Sequence, residues 1–168
     1  MSRRIARIVA VAAMAFFATM RGGSAQVVAL GSSATAGYGL AQSESFPAQL
    51  QAMLQAKGSA MRVINDGISG ETTAQILARV DSSVPEGTRI VILSIFMLND
   101  RTRGVSPAAH SANVASIRQR LGARGIRIID ATGLIIAAAK AGMLQGDRIH
   151  LTAEGNRRVA AGLVGSLR

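Results

Sequence analysis

Arg89-Ile-Val-Ile-Leu-Ser-Ile95 is a short, almost wholly apolar run rich in β-branched residues. An antiparallel strand with one wet face alternates polar and apolar residues, whereas a strand covered on both sides of a parallel sheet does not. This run therefore predicts a buried parallel strand, and its neighbours extend the pattern. Upstream, Gln26–Leu30 ends at Gly31 and Met61–Ile64 reads as a second strand; downstream, Ile126–Ile129 reads as a fourth. Helical signals lie between them. Ser45 with Pro47 opens a helix carrying Phe46, Leu50, Met53 and Leu54 at helical spacing, and Thr72 or Thr73 begins another that runs to Val80. Ser106-Pro107 opens a third helix to about Leu121. Leu134–Met143 and Thr152–Leu167 complete the set, the last turning Val159, Leu163 and Val164 inward. Strands alternating with helices, and no hairpin signal, imply right-handed crossovers and a parallel sheet with helices on both faces.

The chain has 168 residues, 49% hydrophobic and 17% charged, which fits one folded domain and excludes a disordered or coiled-coil composition. There is no Cys, so disulfides, thiolate catalysis, zinc fingers and iron–sulfur clusters are excluded. Four Phe, one Tyr and no Trp leave almost nothing on which to stack bases, so a nucleic-acid partner is not expected. No metal-ligand cluster is visible in the sequence.

The net charge of +10 is unevenly placed: Arg3, Arg4, Arg7 and Arg21 precede residue 26, and all nine acids follow residue 40. Residues 2–7 form a basic stretch, Ile8 to Met20 is an uncharged run of thirteen, and Gly23 and Ala25 are small. This is the pattern of a secretory signal, and the run is shorter than the ~20 apolar residues a membrane-spanning helix needs. Residues 1–25 are expected to be a signal peptide cut after Ala25, and residues 26–168 the folded domain, exported to the periplasm or beyond. That domain keeps a net +6, scattered over a surface compatible with anionic lipid.

In a parallel sheet, ligands bind beyond the carboxyl ends of the strands. The segments there are Gly31-Ser-Ser-Ala-Thr-Ala-Gly-Tyr-Gly39, Asn65-Asp-Gly-Ile-Ser-Gly-Glu-Thr-Thr73 and Phe96-Met-Leu-Asn-Asp100, with Asp147-Arg-Ile-His-Leu-Thr152 before the last helix. They concentrate hydroxyls, amides and carboxylates. Of the two histidines, His110 falls within a predicted helix among Ala and Ser, and is expected to be a surface residue; His150 is the candidate base.

These segments, with Glu44-Ser-Phe-Pro-Ala-Gln-Leu50 and Ile149-His-Leu-Thr-Ala-Glu-Gly155, resemble in order and spacing the SGNH (GDSL-type) hydrolases. The likeness is to the bacterial acyl-CoA thioesterase I, arylesterase and lysophospholipase branch, and it covers Val27 to about Leu167. It implies a flavodoxin-like three-layer α/β/α sandwich on a four- to five-stranded parallel sheet. It also implies cofactor-free hydrolysis of small acyl esters or thioesters through an acyl-enzyme. A monomer is expected, with contact to membrane lipid left open. Carried onto this chain, the resemblance makes Ser33 the nucleophile, His150 the general base and Asp147 its orienting carboxylate. The oxyanion donors fall on the Ser33 amide, the Gly70 amide and the Asn99 side chain.

Two departures from the family pattern carry expectations. Ser32 and Ala34 stand where the family has Asp and Leu around the nucleophile, and Ser32 is expected to bond local backbone donors in place of the Asp. Phe96-Met97-Leu98 stands where the branch has Leu-Gly-Gly. Either these side chains strain the backbone and displace Asn99, leaving a weak or inactive relative that binds a lipid, acyl or glycan ligand, or they line an acyl pocket. Only a short stretch separates Ile129 from Asp147, so the fifth strand is expected to be reduced or missing.

Overall fold

The computed structural model describes residues 26–167, so the expected signal peptide lies outside the described residues. Strands β1 (Gln26–Gly31), β2 (Arg62–Gly67), β3 (Thr88–Ser94) and β4 (Arg127–Asp130) form one parallel sheet in the order β2-β1-β3-β4. The helices are α1 (Ser33–Ala36), α2 (Phe46–Ala56), α3 (Thr73–Ser83), α4 (Leu98–Thr102), α5 (Pro107–Ala123), α6 (Thr132–Lys140) and α7 (Ala153–Val164).

Alternation along the two central strands builds the three layers. Val27, Ala29, Ile90 and Ile92 pack on one face against Phe46, Leu50, Ile135, Val159 and Leu163 of α2, α6 and α7. Val28, Leu30, Val91 and Leu93 face the other way, against Ile76, Val80, Ile117 and Leu121 of α3 and α5. Among the described residues no fifth strand follows β4, because the chain passes from Asp130 almost directly into α6. The sheet is thus four-stranded, with β4 as one edge.

The structure extends β2 beyond Ile64: Asn65, Asp66 and Gly67 pair with Ala29, Leu30 and Gly31. Their polarity disguised them as a loop, but Arg79 of α3 pairs with Asp66 and Asn65 donates to Ser45 Oγ at 3.2 Å. The two post-strand glycines also differ in purpose. Gly67 has no left-handed backbone; a Cβ there would run into Ala36 and come within 2.7 Å of the Thr35 carbonyl carbon, so its missing side chain lets α1 cross the strand end. Gly70, at φ +82°, occupies the left-handed region that glycine enters without strain.

Candidate active site

Ser33 is the first residue of α1, directly beyond β1, so its own N–H belongs to the helix end that has no intrahelical acceptor. Its Oγ lies 2.9 Å from His150 Nε2, and His150 Nδ1 lies 2.6 Å from Asp147 Oδ2. The other oxygen of Asp147 accepts the backbone N–H groups of Ile149 at 2.9 Å and His150 at 3.0 Å. The bond from the His150 ring, followed by these two backbone bonds, lowers the Asp147 carboxyl from 3.8 to about 2. Asp147 is then an acceptor only, so His150 Nδ1 carries the proton and the bare Nε2 accepts the Ser33 hydroxyl.

The loop bearing Asp147 and His150 is held from several sides. Gln145 N–H donates to the His150 carbonyl at 2.8 Å, and the Gln145 side chain donates to the Tyr38 and Leu151 carbonyls. Buried Asn156 of α7 donates to the Leu151 and Thr152 carbonyls and accepts Phe46 N–H. Tyr38 lies against the His150 ring, centroid to centroid 4.6 Å, with the planes tilted by 37°.

Asn99, on α4, donates one amide hydrogen to the Glu71 carbonyl at 2.9 Å, leaving its second amide hydrogen for another acceptor. Glu71 is itself held by Arg79, which also donates to the Gly31 and Asp66 carbonyls and so ties the Gly70 turn to the ends of β1 and β2. Ser33, Asn99 and His150 line one cavity of about 160 Å³, walled by Ala34, Phe96, Leu98, Ile135, Ile136, Ala139 and Ile149. The structure therefore brings Ser33, Asn99 and His150 to one cavity, with Asp147 behind His150. Gly70 does not line this cavity, but its neighbour Glu71 orients Asn99.

Three expectations need correction or completion. Ser32 makes no capping hydrogen bond through its side chain; its carbonyl carries the turn, accepting Thr35 and Ala36 N–H. Phe96, Met97 and Leu98 have no left-handed backbone, so glycine's freedom is not required there, and Phe96 and Leu98 line the cavity instead. His110 is not a free surface residue: its Nδ1 lies 2.8 Å from Asp100 Oδ2, with its side chain only 18% exposed. Asp100 is fully buried and also accepts the Thr73 N–H at 2.8 Å and the Thr73 hydroxyl at 2.6 Å. Burial pushes the Asp100 carboxyl up, but the bonds from Thr73 and His110 outweigh it and hold it below its ordinary value.

Sequence reasoning missed α6 as a cavity wall. The available signal was the adjacent apolar pair Ile135-Ile136: Ile135 is buried, and Ile136, about 100° further round the helix, is exposed beside the site. Among the described residues no group of three or more His, Cys, Asp or Glu side chains is placed to hold a metal ion.

Residues 29–141 match the model of the GDSL-like Lipase/Acylhydrolase family. The chain is 32% identical over 111 residues to Esterase TesA of Pseudomonas aeruginosa, covering 66% of this chain and 55% of that protein. It is 30% identical over 106 residues to an arylesterase of Vibrio mimicus, covering 63% of this chain and 53% of that one. It thus spans about half the length of the curated relatives it matches. A crystal structure of TesA superposes with a TM-score of 0.75 at 25% identity, over 85% of this chain and 98% of that one.

Proposed function

The chain belongs to the GDSL-like lipase/acylhydrolase family, and on that premise we propose that it is a serine hydrolase cleaving carboxylic esters or thioesters of acyl substrates. One observation carries the reading: the unbroken relay Ser33 Oγ–His150–Asp147 opening on an apolar cavity. His150 Nε2 takes the Ser33 proton as Oγ attacks the acyl carbonyl carbon, and Asp147 stabilises the resulting imidazolium. The carbonyl oxygen becomes an oxyanion, met by the Ser33 N–H and the free amide hydrogen of Asn99, which Glu71, next to Gly70, orients. As the carbon–oxygen or carbon–sulfur bond breaks, His150 returns the proton to the leaving alkoxide or thiolate. Water then attacks the acyl-Ser33 ester by the same steps, releasing the acid and restoring the hydroxyl. The cavity compares in size with one of about 150 Å³ that accepts benzene, which favours short acyl or aryl groups. The proposal extends to export of the enzyme, in keeping with its N-terminal sequence.

Hydrolysis of short-chain p-nitrophenyl esters by the purified protein tests this. Ser33→Ala is expected to lower kcat by about 10³-fold or more, whereas Ser32→Ala retains turnover. Equal rates in the wild type and Ser33→Ala would overturn the mechanism.

A further inference from the structure

Among the described residues Arg148 is the one non-glycine residue with positive φ, at +57°. A backbone position that glycine occupies without strain thus holds the longest cationic side chain, between Asp147 and the Ile149–His150 pair. Strain of this kind persists where the rest of the structure, or a function, requires it. The turn itself does not require an arginine: the hydrogen bonds that shape it run through backbone groups, the Asp147 carboxylate and the Gln145 and Asn156 side chains. Arg148 is exposed, and among the described residues its guanidinium has no carboxylate partner and no hydrogen bond.

The surroundings share this character. Arg101 and Arg103, on and just after α4, are also exposed and form no ion pair among the described residues; Arg103 lies 3.5 Å from where a Gly70 Cβ would stand. The nearby carboxylates are all engaged: Asp147 by His150, Asp100 by Thr73 and His110, Glu71 and Asp66 by Arg79. Three arginines without counter-charge thus stand within four residues along the chain of cavity-lining Asn99 or Ile149, and the exposed large hydrophobic side chains of that lining are Leu98, Ile136 and Ile149.

We propose that Arg148 is a specificity residue that pairs with an anionic group on the leaving-group side of the substrate, so that the preferred esters carry a carboxylate, phosphate or sulfonate there. The inference rests on the hydrolase reading above. His150 delivers the proton to the leaving group, so the leaving group departs beside the loop that carries Arg148, while the acyl group takes the apolar cavity. A planar guanidinium suits a carboxylate, phosphate or sulfonate by bidentate hydrogen bonding.

The test compares kcat/KM of the full chain for three acetate esters that differ in leaving-group charge: neutral phenyl acetate, anionic 4-acetoxybenzoate and cationic 3-(trimethylammonio)phenyl acetate. All three are monomeric in water, so a preference belongs to the molecule bound and not to a lipid surface. Arg148→Gly keeps the backbone conformation open and removes the charge, while Arg148→Lys keeps charge and strain together. The anionic-to-cationic ratio is expected to fall by about three- to tenfold in Arg148→Gly, through KM, and to survive largely in Arg148→Lys. In the wild type, about 0.5 M salt should shrink it. Taking the ratio within each variant cancels any general loss of activity. Hydrolysis of all three esters with the same ratio in wild type and Arg148→Gly would overturn this proposal alone; no hydrolysis of any ester by the wild type would overturn it together with the hydrolase reading.

Discussion

Asp147 shows how one side chain can both shape a loop and set a charge state. Its Oδ1 gathers two backbone N–H groups and its Oδ2 meets His150 Nδ1, so one carboxylate fixes the turn and the tautomer together. Because the folded-state value, about 2, lies below the ordinary 3.8, its contribution to stability is fully present above about 3.8 and is lost as pH falls through about 2. The difference in Tm between the wild type and Asp147→Asn should therefore be steady near neutral pH and narrow between those two values; a gap that widens on acidification would contradict the assignment. At neutral pH the same substitution is expected to lower kcat by about 10²–10⁴-fold, since a neutral amide no longer dictates which His150 nitrogen carries the proton. The resemblance named Asp147 and His150, but Asp100 was legible only as one of the polar residues beyond the third strand and His110 only as a surface histidine. Asp100 meets His110 directly and also Thr73, 27 residues before it, and these tertiary contacts are not encoded in local pattern.

At the scale of elements, α4 is the informative case. Leu98-Asn-Asp-Arg-Thr102 is short and polar, with little helix signal of its own; Asp100 pins it to the start of α3 and to α5. That anchorage places Asn99 at the cavity and turns Leu98 into its wall. The bulky pair Met97-Leu98 is accommodated there, Met97 at an ordinary φ of −73°. Replacing both by glycine is accordingly expected to lower kcat/KM for short-chain esters and to cost about 1–2 kcal/mol of stability, read by kinetics and thermal melting. A sharp rise in turnover would instead show that the pair holds Asn99 away from its task. Elements with strong local signals were read nearly to the residue: β3 is apolar on both faces, and α5 opens on Ser106, whose hydroxyl accepts Ala109 N–H at 3.1 Å. The polar end of β2 was not, because its pairing depends on Arg79 reaching across from α3.

At the scale of the whole molecule, the order β2-β1-β3-β4 puts the ends of the two central strands side by side, and the site forms where they open. The chain reaches it with four strands, α6 following β4 directly and closing the cavity with Ile135, Ile136 and Ala139. The basic and apolar N-terminal stretch is a matter of the whole chain as well: if residues 1–25 direct export, intact-mass analysis of the secreted protein should find Gln26 first, and a mature N-terminus at Met1 would refute it. The sequence by itself determined the layered α/β class and the positions of β1 and β3, and through the resemblance it singled out Ser33, Asp147, His150 and Asn99 as candidates. The reason is that burial on both faces forces continuous apolar runs, and the motif residues stand at recognisable spacings. Only the tertiary structure decided which groups meet. The meeting of Ser33 and His150 across a sequence separation of 117, the burial of Asp100 against Thr73 and His110, and the Ile135–Ile136 wall depend on how α4, α6 and α7 pack on the sheet. Packing of that kind is a property of summed surfaces and not of any local stretch of chain.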